Sequence, residues 1–370
     1  MELSYWEDRI WFSDIDFTIV GSGIVGLTTA IFLMETYPSS KVLVLEKGLL
    51  PQGASTKNAG FACFGSISEI TADLESHRED EVAQLVRQRF EGIQLLRHML
   101  GDKNIEYERL GGHEIFLKKD TYLYDRCKGQ MGRINKLLKP IFKENPFKEQ
   151  PNHFGFKGVQ DTYITHQFEG QLHTGKMMLH LLKKAQRLGV IVLNGMRVDA
   201  FEHGPNGVHI KTEQLEFFSK KLFVATNGFA AQLLDEKVKP ARAQVLVTHP
   251  IENLRIKGTF HFEEGYYYFR NVEGRILFGG GRNLDLKGEE TARFGTTGHI
   301  QEALEQLLAE VILPGRAVEI DRRWSGIMGV GPKKRPIVKQ HSDHVYCGIR
   351  LGGMGVAIGS LVGRQLASMA

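Results

Sequence analysis

The stretch TIVGSGIVGLTTAIFL, Thr18 to Leu33, decides the fold. It reads as a short apolar, β-branched strand over 17–20, a glycine turn, and a helix over 24–37 that is apolar on nearly every side. Pro38-Ser39-Ser40 ends the helix, and KVLVLE at 41–46 is a second buried strand. Strand, helix and strand make a βαβ unit with a parallel pair, which needs helices on both faces of its sheet. Gly21-Ser22-Gly23-Ile24-Val25-Gly26 fits GxGxxG at the turn. The first glycine allows the tight turn, the second admits a pyrophosphate to the backbone, and the third lets helix pack on strand. The helix start offers free N–H groups to phosphates. Glu46 lies about 20 residues beyond the last glycine, where a carboxylate can accept hydrogen bonds from both hydroxyls of an adenosine ribose and repel a 2′-phosphate. A dinucleotide is implied, NAD or FAD, with NADP disfavoured.

Three later segments favour FAD. GASTKNAG at 53–60 is rich in small residues and hydroxyls, as suits a loop along a pyrophosphate. FVATNG at 223–228 is a buried strand ending in Thr226-Asn227-Gly228, and ligands of α/β sheets bind at such strand ends. GIRLGGMGVAIG at 348–359 is a second glycine turn opening a helix, whose N-terminus suits the negative charge a flavin ring carries once reduced.

Bulk composition narrows the function classes. Over 370 residues, 42% hydrophobic and 24% charged is an ordinary globular balance, with room for two or three domain-sized units. A net charge of +4 is too mild for nucleic-acid binding, and Lys333-Lys334-Arg335, the densest basic spot, reads as a solvated loop. Three scattered cysteines without a CxxC argue against a zinc site and fit a reduced, cytoplasmic compartment. The opening MELSYWEDRIWFSDIDF lacks the basic start and apolar run of a signal peptide. The uncharged run 17–34 is long enough to span a bilayer, but its glycines at turn spacing argue against that.

Further along, 81–100, 174–189 and 300–311 carry helical periodicity, while AQVLVT, GYYYFRN and RILFGGG look like antiparallel strands with a hairpin turn at Val272-Glu273-Gly274. The expected architecture is α/β with α+β: a Rossmann-like FAD-binding domain over 1–80, 155–235 and 315–370, interleaved with an antiparallel-sheet substrate domain over 81–154 and 236–314.

The blocks YWEDRIWFSDIDFTIVGSGIVGL, LVLEKG, GASTKNAG, EGQLHTGK, FVATNG, YYYFRNVEGRILFGGGRN, RRWSGIMG and GIRLGGMGVAIG span nearly the whole chain. In order and spacing the chain resembles the FAD-dependent oxidoreductases of the D-amino-acid-oxidase and sarcosine/glycine-oxidase family. The opening SYW, the YYYFR hairpin and RWSGIMG look most like its γ-glutamylputrescine-oxidase branch, whose members oxidise amines. The resemblance implies FAD extended across the first domain. Gly21, Ser22, Gly23, Ile24 and Gly26 would hold the pyrophosphate, with Glu46 on the ribose and Lys47 beside it. Ser55, Thr56, Lys57, Asn58 and Gly60 would run along the pyrophosphate and the inner edge of the flavin ring. Val198 would meet the adenine through its backbone, and Thr226, Asn227 and Gly228 would close over the adenosine half. Gly353, Met354, Gly355 and Val356 would face the pyrimidine end, with Gly326 in the neighbouring block. Sarcosine-type relatives attach flavin to a cysteine in the block matching WSGIMG, which has none here, so FAD is expected to be non-covalent. Met328 stands where glycine-oxidase-like members place a carboxylate-binding arginine, which counts against a simple α-amino acid. Leu277 stands where sarcosine-type members hold a lysine near the flavin, which counts against efficient use of dioxygen.

The implied reaction moves a hydride from a carbon next to nitrogen to flavin, after which the imine hydrolyses. The electrons go on to dioxygen or another acceptor. An apolar pocket favours the uncharged amine this needs. Tyr267, Arg270, Arg323 and Arg350 are the candidates for contact with substrate, the arginines as possible grips on a carboxylate. His166 and His173 are expected to make local hydrogen bonds only. No metal, nucleic-acid or membrane partner is expected. A hydroxy-acid dehydrogenase on the same fold, the flavin domain of a tRNA-modifying enzyme and a non-catalytic flavin-binding protein are the competing readings.

Overall fold

The computed structural model describes residues 2–370. The βαβ unit forms as read: β1 (Ile15–Val20), α1 (Ile24–Thr36) and β2 (Val42–Glu46). Two helices follow, α2 (Ile67–Ser76) and α3 (Glu79–Leu100), then strand β3 (Gly112–Glu114) and helix α4 (Thr121–Phe142). Pro140 falls in the last turn of α4, where the helix is already closing. The middle of the chain runs β4 (Phe147–Pro151), β5 (Thr162–His166), α5 (Thr174–Arg187), β6 (Ile191–Asn194), β7 (Val198–Gly204), β8 (Gly207–Thr212) and β9 (Glu216–Val224). The last part holds β10 (Lys239–Thr248), β11 (Thr259–Phe262), β12 (Tyr267–Val272), β13 (Arg275–Gly280) and helix α6 (Gly298–Leu307). It ends with β14 (Ile320–Val330), β15 (Ile337–Ser342), β16 (Val345–Ile349) and helix α7 (Gly355–Ala367).

The first sheet has the order β15-β16-β9-β1-β2-β6. Its inner pairings β16/β9, β9/β1, β1/β2 and β2/β6 are all parallel. The first half of β9 pairs instead with β8, which pairs with β7, both antiparallel. Strand alternation sends Val42 and Val44 to one core and Leu43 and Leu45 to the other, so each face of the sheet carries its own apolar layer. Helix α1 is buried between the sheet and α7. Side chains at Gly359 and Gly363 would meet Ile24 at 2.8 Å and Thr28 at 2.7 Å, so glycine lets the two helices touch. Gly92 brings α3 onto α7 in the same way, and Ser360 Oγ donates to Gly92 O at 2.6 Å.

The second sheet runs β14-β10-β13-β12-β11-β3-β5-β4, antiparallel except where β11 meets β3. Its core, centred on Phe260, Phe262, Phe269 and Phe278, packs against α6. Membership of the two layers differs from the expected boundaries. Strands β5 and β14 belong to the second sheet, and α3 packs its Val82, Val86, Ile93 and Leu96 into the core of the first. An amphipathic stretch shows that it covers a sheet but not which one. Among the described residues, no helix is long and apolar enough to cross a membrane; the run 17–34 is divided between strand, turn and helix.

Candidate functional site

Four parallel strands deliver their carboxyl ends to one cavity of about 580 Å³, at Val20, Glu46, Ala225 and, just past β16, Leu351. Five neighbouring strands of the second sheet close its other side through Val245, His261, Tyr268, Gly280 and Gly326 to Met328.

The nucleotide-like end is built by the first βαβ unit. Gly21 takes φ +102°, and a side chain at Gly26 would lie 1.9 Å from Gly21 O, so turn and helix can close only with glycine. Glu46 is buried. Its Oε2 accepts from Ser22 N and Ser22 Oγ at 3.2 and 2.9 Å, and its Oε1 accepts from Gly48 N at 3.1 Å. Lys47 Nζ lies 3.5 Å over the Phe229 ring, and burial lowers its pKa. Ile24 N donates to Ser55 Oγ at 3.0 Å, which ties the helix start to the one-turn helix Ala54–Lys57. Asn58 Oδ1 accepts from Gly60 N at 2.8 Å and orders the loop beyond. Trp324 Nε1 donates to Lys57 O at 3.0 Å and ties β14 of the second sheet to that one-turn helix. Thr226 Oγ1 is buried and unpartnered on the cavity wall. Asn227, at φ +45°, accepts from Leu351 N at 3.1 Å.

Gly21, Gly23, Ile24, Glu46, Lys47, Ser55, Lys57, Asn58, Val198, Thr226, Asn227, Gly326, Gly353, Met354, Gly355 and Val356 all line this cavity. Ser22, Gly26, Thr56, Gly60 and Gly228 do not; they shape it from behind. Thr56 Oγ1 donates to Pro51 O at 2.6 Å. Side chains at Gly60 and Gly228 would strike Leu172 O at 2.2 Å and Met328 O at 2.5 Å. Helix α7 starts at the cavity with Met354 as its N-cap and no side chain capping its first N–H groups. A glycine cradle, a positioned carboxylate, an orphaned hydroxyl and an uncapped helix start are the set an extended dinucleotide needs.

The four residues expected to touch substrate lie elsewhere. Tyr267 is 3% exposed and turned into the second core, where it stacks on Phe262 with ring centroids 5.1 Å apart. Alternation instead sends Tyr266 and Tyr268 to the cavity. Arg270 is buried on the β12 face that Tyr268 shares, yet its Nη1 is consumed by Leu172 O at 2.8 Å and Gly60 O at 3.2 Å. Arg323 pairs with Glu305 at 2.5 Å near the surface, and Arg350, at φ +61°, donates to Arg335 O at 3.1 Å. In each case local backbone or an acidic neighbour claims the guanidinium. His166 is buried and neutral, pushed down to about 3 by burial; His173 Nδ1 accepts from Lys176 N at 3.2 Å at the start of α5.

The cavity holds polar groups that motif reading missed. Arg89 is 2% exposed and lines it, donating to Glu69 Oε1 and to Phe64 O, both at 2.9 Å. Lys334 Nζ meets Asp73 at 2.7 Å and Glu69 at 3.2 Å. Burial raises the Glu69 carboxyl, but Arg89 and Lys334 outweigh it and hold the group down at about 2. The basic spot read as a solvated loop is thus pinned: Lys334 reaches the cavity, and Arg335 faces Glu81 at 3.6 Å. Its charge density was the one available signal. Phe61 and Tyr268 meet edge to face at 5.7 Å, and His261 is neutral, held down to about 4 by burial. Cys63 lines the cavity too, its thiol pushed up by burial. Arg282 lies on the wall with no ion-pair partner among the described residues. Among the described residues, no group of His, Cys, Asp and Glu side chains could hold a metal ion.

Fold and site together define a two-layer, dinucleotide-binding oxidoreductase. The chain belongs to the DAO family of FAD dependent oxidoreductases, whose model matches residues 16–369. It is therefore an FAD-using enzyme. It is similar to the probable oxidoreductase OrdL of Haemophilus influenzae, 22% identical, over 95% of this chain and 82% of that one. It is also similar to the gamma-glutamylputrescine oxidoreductase of Escherichia coli, 22% identical, over 96% and 83%. Among solved structures, glycine oxidase from Geobacillus kaustophilus shares the fold with a TM-score of 0.76 at 16% identity, over 95% of this chain and 93% of that one.

Proposed function

We propose that the chain oxidises the C–N bond of an amine or amino acid at the second-sheet end of the cavity, with FAD held without a covalent bond. The observation that carries this reading is the wall made by Phe61, Tyr268, neutral His261 and Met328 beside the start of α7. Such a wall disfavours charge, so a bound amine is driven to its uncharged form, whose lone pair assists loss of the neighbouring hydrogen. Relatives support the substrate class: one is named for γ-glutamylputrescine, another for glycine.

FAD, when bound, supplies the two-electron acceptor. Residues lining the first-sheet end would hold it: Gly21, Gly23 and Ile24 with Ser55 at the pyrophosphate, Glu46 and Lys47 at the ribose, Val198, Thr226 and Asn227 around the adenosine. Ser22, Gly26, Thr56, Gly60 and Gly228 would set the backbone that makes those contacts. Gly326 and Gly353 to Val356 would meet the flavin, with the free N–H groups of α7 stabilising negative charge. The cysteine-free block around Gly326 and the protonated Cys63 thiol support a non-covalent bond. Three unpaired cysteines support a reduced, cytoplasmic setting. Arg89 and Lys334 are committed to Glu69 and Asp73, which leaves Arg282, a lining guanidinium with no ion-pair partner among the described residues, for a substrate carboxylate. An anaerobic panel of primary and secondary amines, amino acids and hydroxy acids tests the reading. Bleaching of bound flavin by an amine or amino acid supports it, and bleaching by hydroxy acids alone overturns it.

A further inference from the structure

Helix α2 starts at the cavity wall, and a hydrogen-bonded path leads inward from it. Ser66, its N-cap, lines the cavity. Ser66 Oγ already accepts from Glu69 N at 3.2 Å, which leaves its own hydrogen for Ser68 Oγ, 3.1 Å away. Ser68 Oγ donates to Glu114 Oε1, and Ser68 N donates to Glu114 Oε2 at 3.0 Å. Glu114 sits on β3 at 2% exposure, with no cation bonded to it among the described residues.

We propose that Ser66 and Ser68 carry a proton from a cationic amine substrate in the cavity to the buried carboxylate of Glu114. This rests on the amine reading above. An amine reaches the enzyme as ammonium near neutral pH, yet reacts only with its lone pair free. In the transfer, one N–H bond of the ammonium breaks and its proton bonds to Ser66 Oγ. The Ser66 proton moves to Ser68 Oγ, and the Ser68 proton moves to Glu114 Oε1. The electron pair of the broken bond stays on nitrogen, and no oxidant is involved. After product leaves, Glu114 discharges along the same path to water filling the cavity.

The surroundings suit a group that both takes and gives a proton. Burial raises the Glu114 carboxyl to about 7, with the Ser68 and Ser66 hydrogen bonds pulling against that rise. From α2 the Glu69 charge acts on it and opposes ionisation. From α4 it faces the Cys127 thiol, pushed up to about 12 by burial and by Glu114 itself. On the paired strand β11 its register partner is neutral His261.

Glu114→Gln keeps the size and one accepting oxygen for Ser68 N but cannot take the proton. In the FAD-loaded wild type, kcat/KM for an amine should level off above about pH 7. In the variant it should keep rising with the free-amine fraction. The variant would then be lower by at least about tenfold near pH 7, a gap that closes as pH approaches the amine's own pKa. Ser66→Ala should copy that pattern. A structural role alone would lower both curves by the same factor at every pH, and that result overturns the relay. The second readout needs no turnover. An infrared carboxyl band that is lost in Glu114→Gln should titrate near pH 7 in the FAD-loaded wild type. A Glu114 that stays ionised, or stays neutral, from pH 5 to 9 overturns the relay whatever the substrate. A wild type that no amine or amino acid reduces defeats the proposed function instead.

Discussion

Single residues divide the cavity into a half that was readable and a half that was not. Glu46 closes β2 with Oε2 held by Ser22 of the glycine turn and Oε1 held by Gly48 N just past the strand. Glu46→Gln should weaken FAD binding by roughly tenfold to a hundredfold, the loss of about 1.5–3 kcal/mol expected when a charged acceptor is removed, read by fluorescence titration of apoprotein. Arg282 is a guanidinium on the wall with no ion-pair partner among the described residues. Arg282→Ala should raise KM at least about tenfold for substrates bearing a carboxylate and leave simple amines unchanged, by the worth of a charge-assisted contact. The opposite pattern would place substrate elsewhere. The glycines and Glu46 were legible because their chemistry is local: a turn, a helix start and a strand end fit within about 30 residues. Tyr267 and the three arginines were misread for the converse reason. Which face of β12 meets the cavity depends on how the second sheet packs. Whether an arginine is free depends on partners far away in sequence, such as Leu172 O for Arg270. Glu69, Arg89 and Lys334 come from three segments and carry no shared spacing.

Among the elements, α7 brings an N-terminus with no side-chain cap to the cavity. Met354 offers no side chain to cap it, and its first N–H groups face the cavity. Met354→Asp should satisfy that helix end from within. The apoprotein should gain about 0.3–1 kcal/mol, seen as a raised Tm. The flavin midpoint potential should fall by about 10–20 mV as negative charge on the reduced ring loses support. A raised Tm with an unchanged potential would place the flavin away from α7. The elements themselves were largely legible where periodicity was long, as in β1, α1, β2, α3 and α5. Helix α4 was not, because lysines, aromatics and Pro140 masked its apolar stripe of Ile134, Leu138 and Ile141. Sheet membership was illegible too: β5 and β14 alternate no differently from strands of the other layer.

The whole molecule carries its pH response in its interior. His113, His166 and His261 are held by burial at about 3, about 3 and about 4. Unfolded, they protonate below about 6.5, so stability is lost as pH falls through that range. Glu114 and Glu169 are raised by burial to about 7 and about 8, so the fold keeps protons the unfolded chain sheds above about 4.5. Their contribution is therefore lost as pH rises, until each ionises in the fold. Three histidines outweigh two carboxyls on the acid side and do not act above their unfolded pKa, so stability should peak near pH 6.5. It should fall by about 1 kcal/mol per pH unit or more on either side, read from urea unfolding between pH 5 and 8. The proposed activity requires this cavity to bring FAD and an amine or amino acid together. The most direct measurement is the visible spectrum of purified protein before and after anaerobic addition of those compounds. Two flavin bands are expected, bleached by one of these compounds, with the flavin released into solution by denaturation. A protein that takes up FAD but is bleached by none of them would contradict the proposed activity.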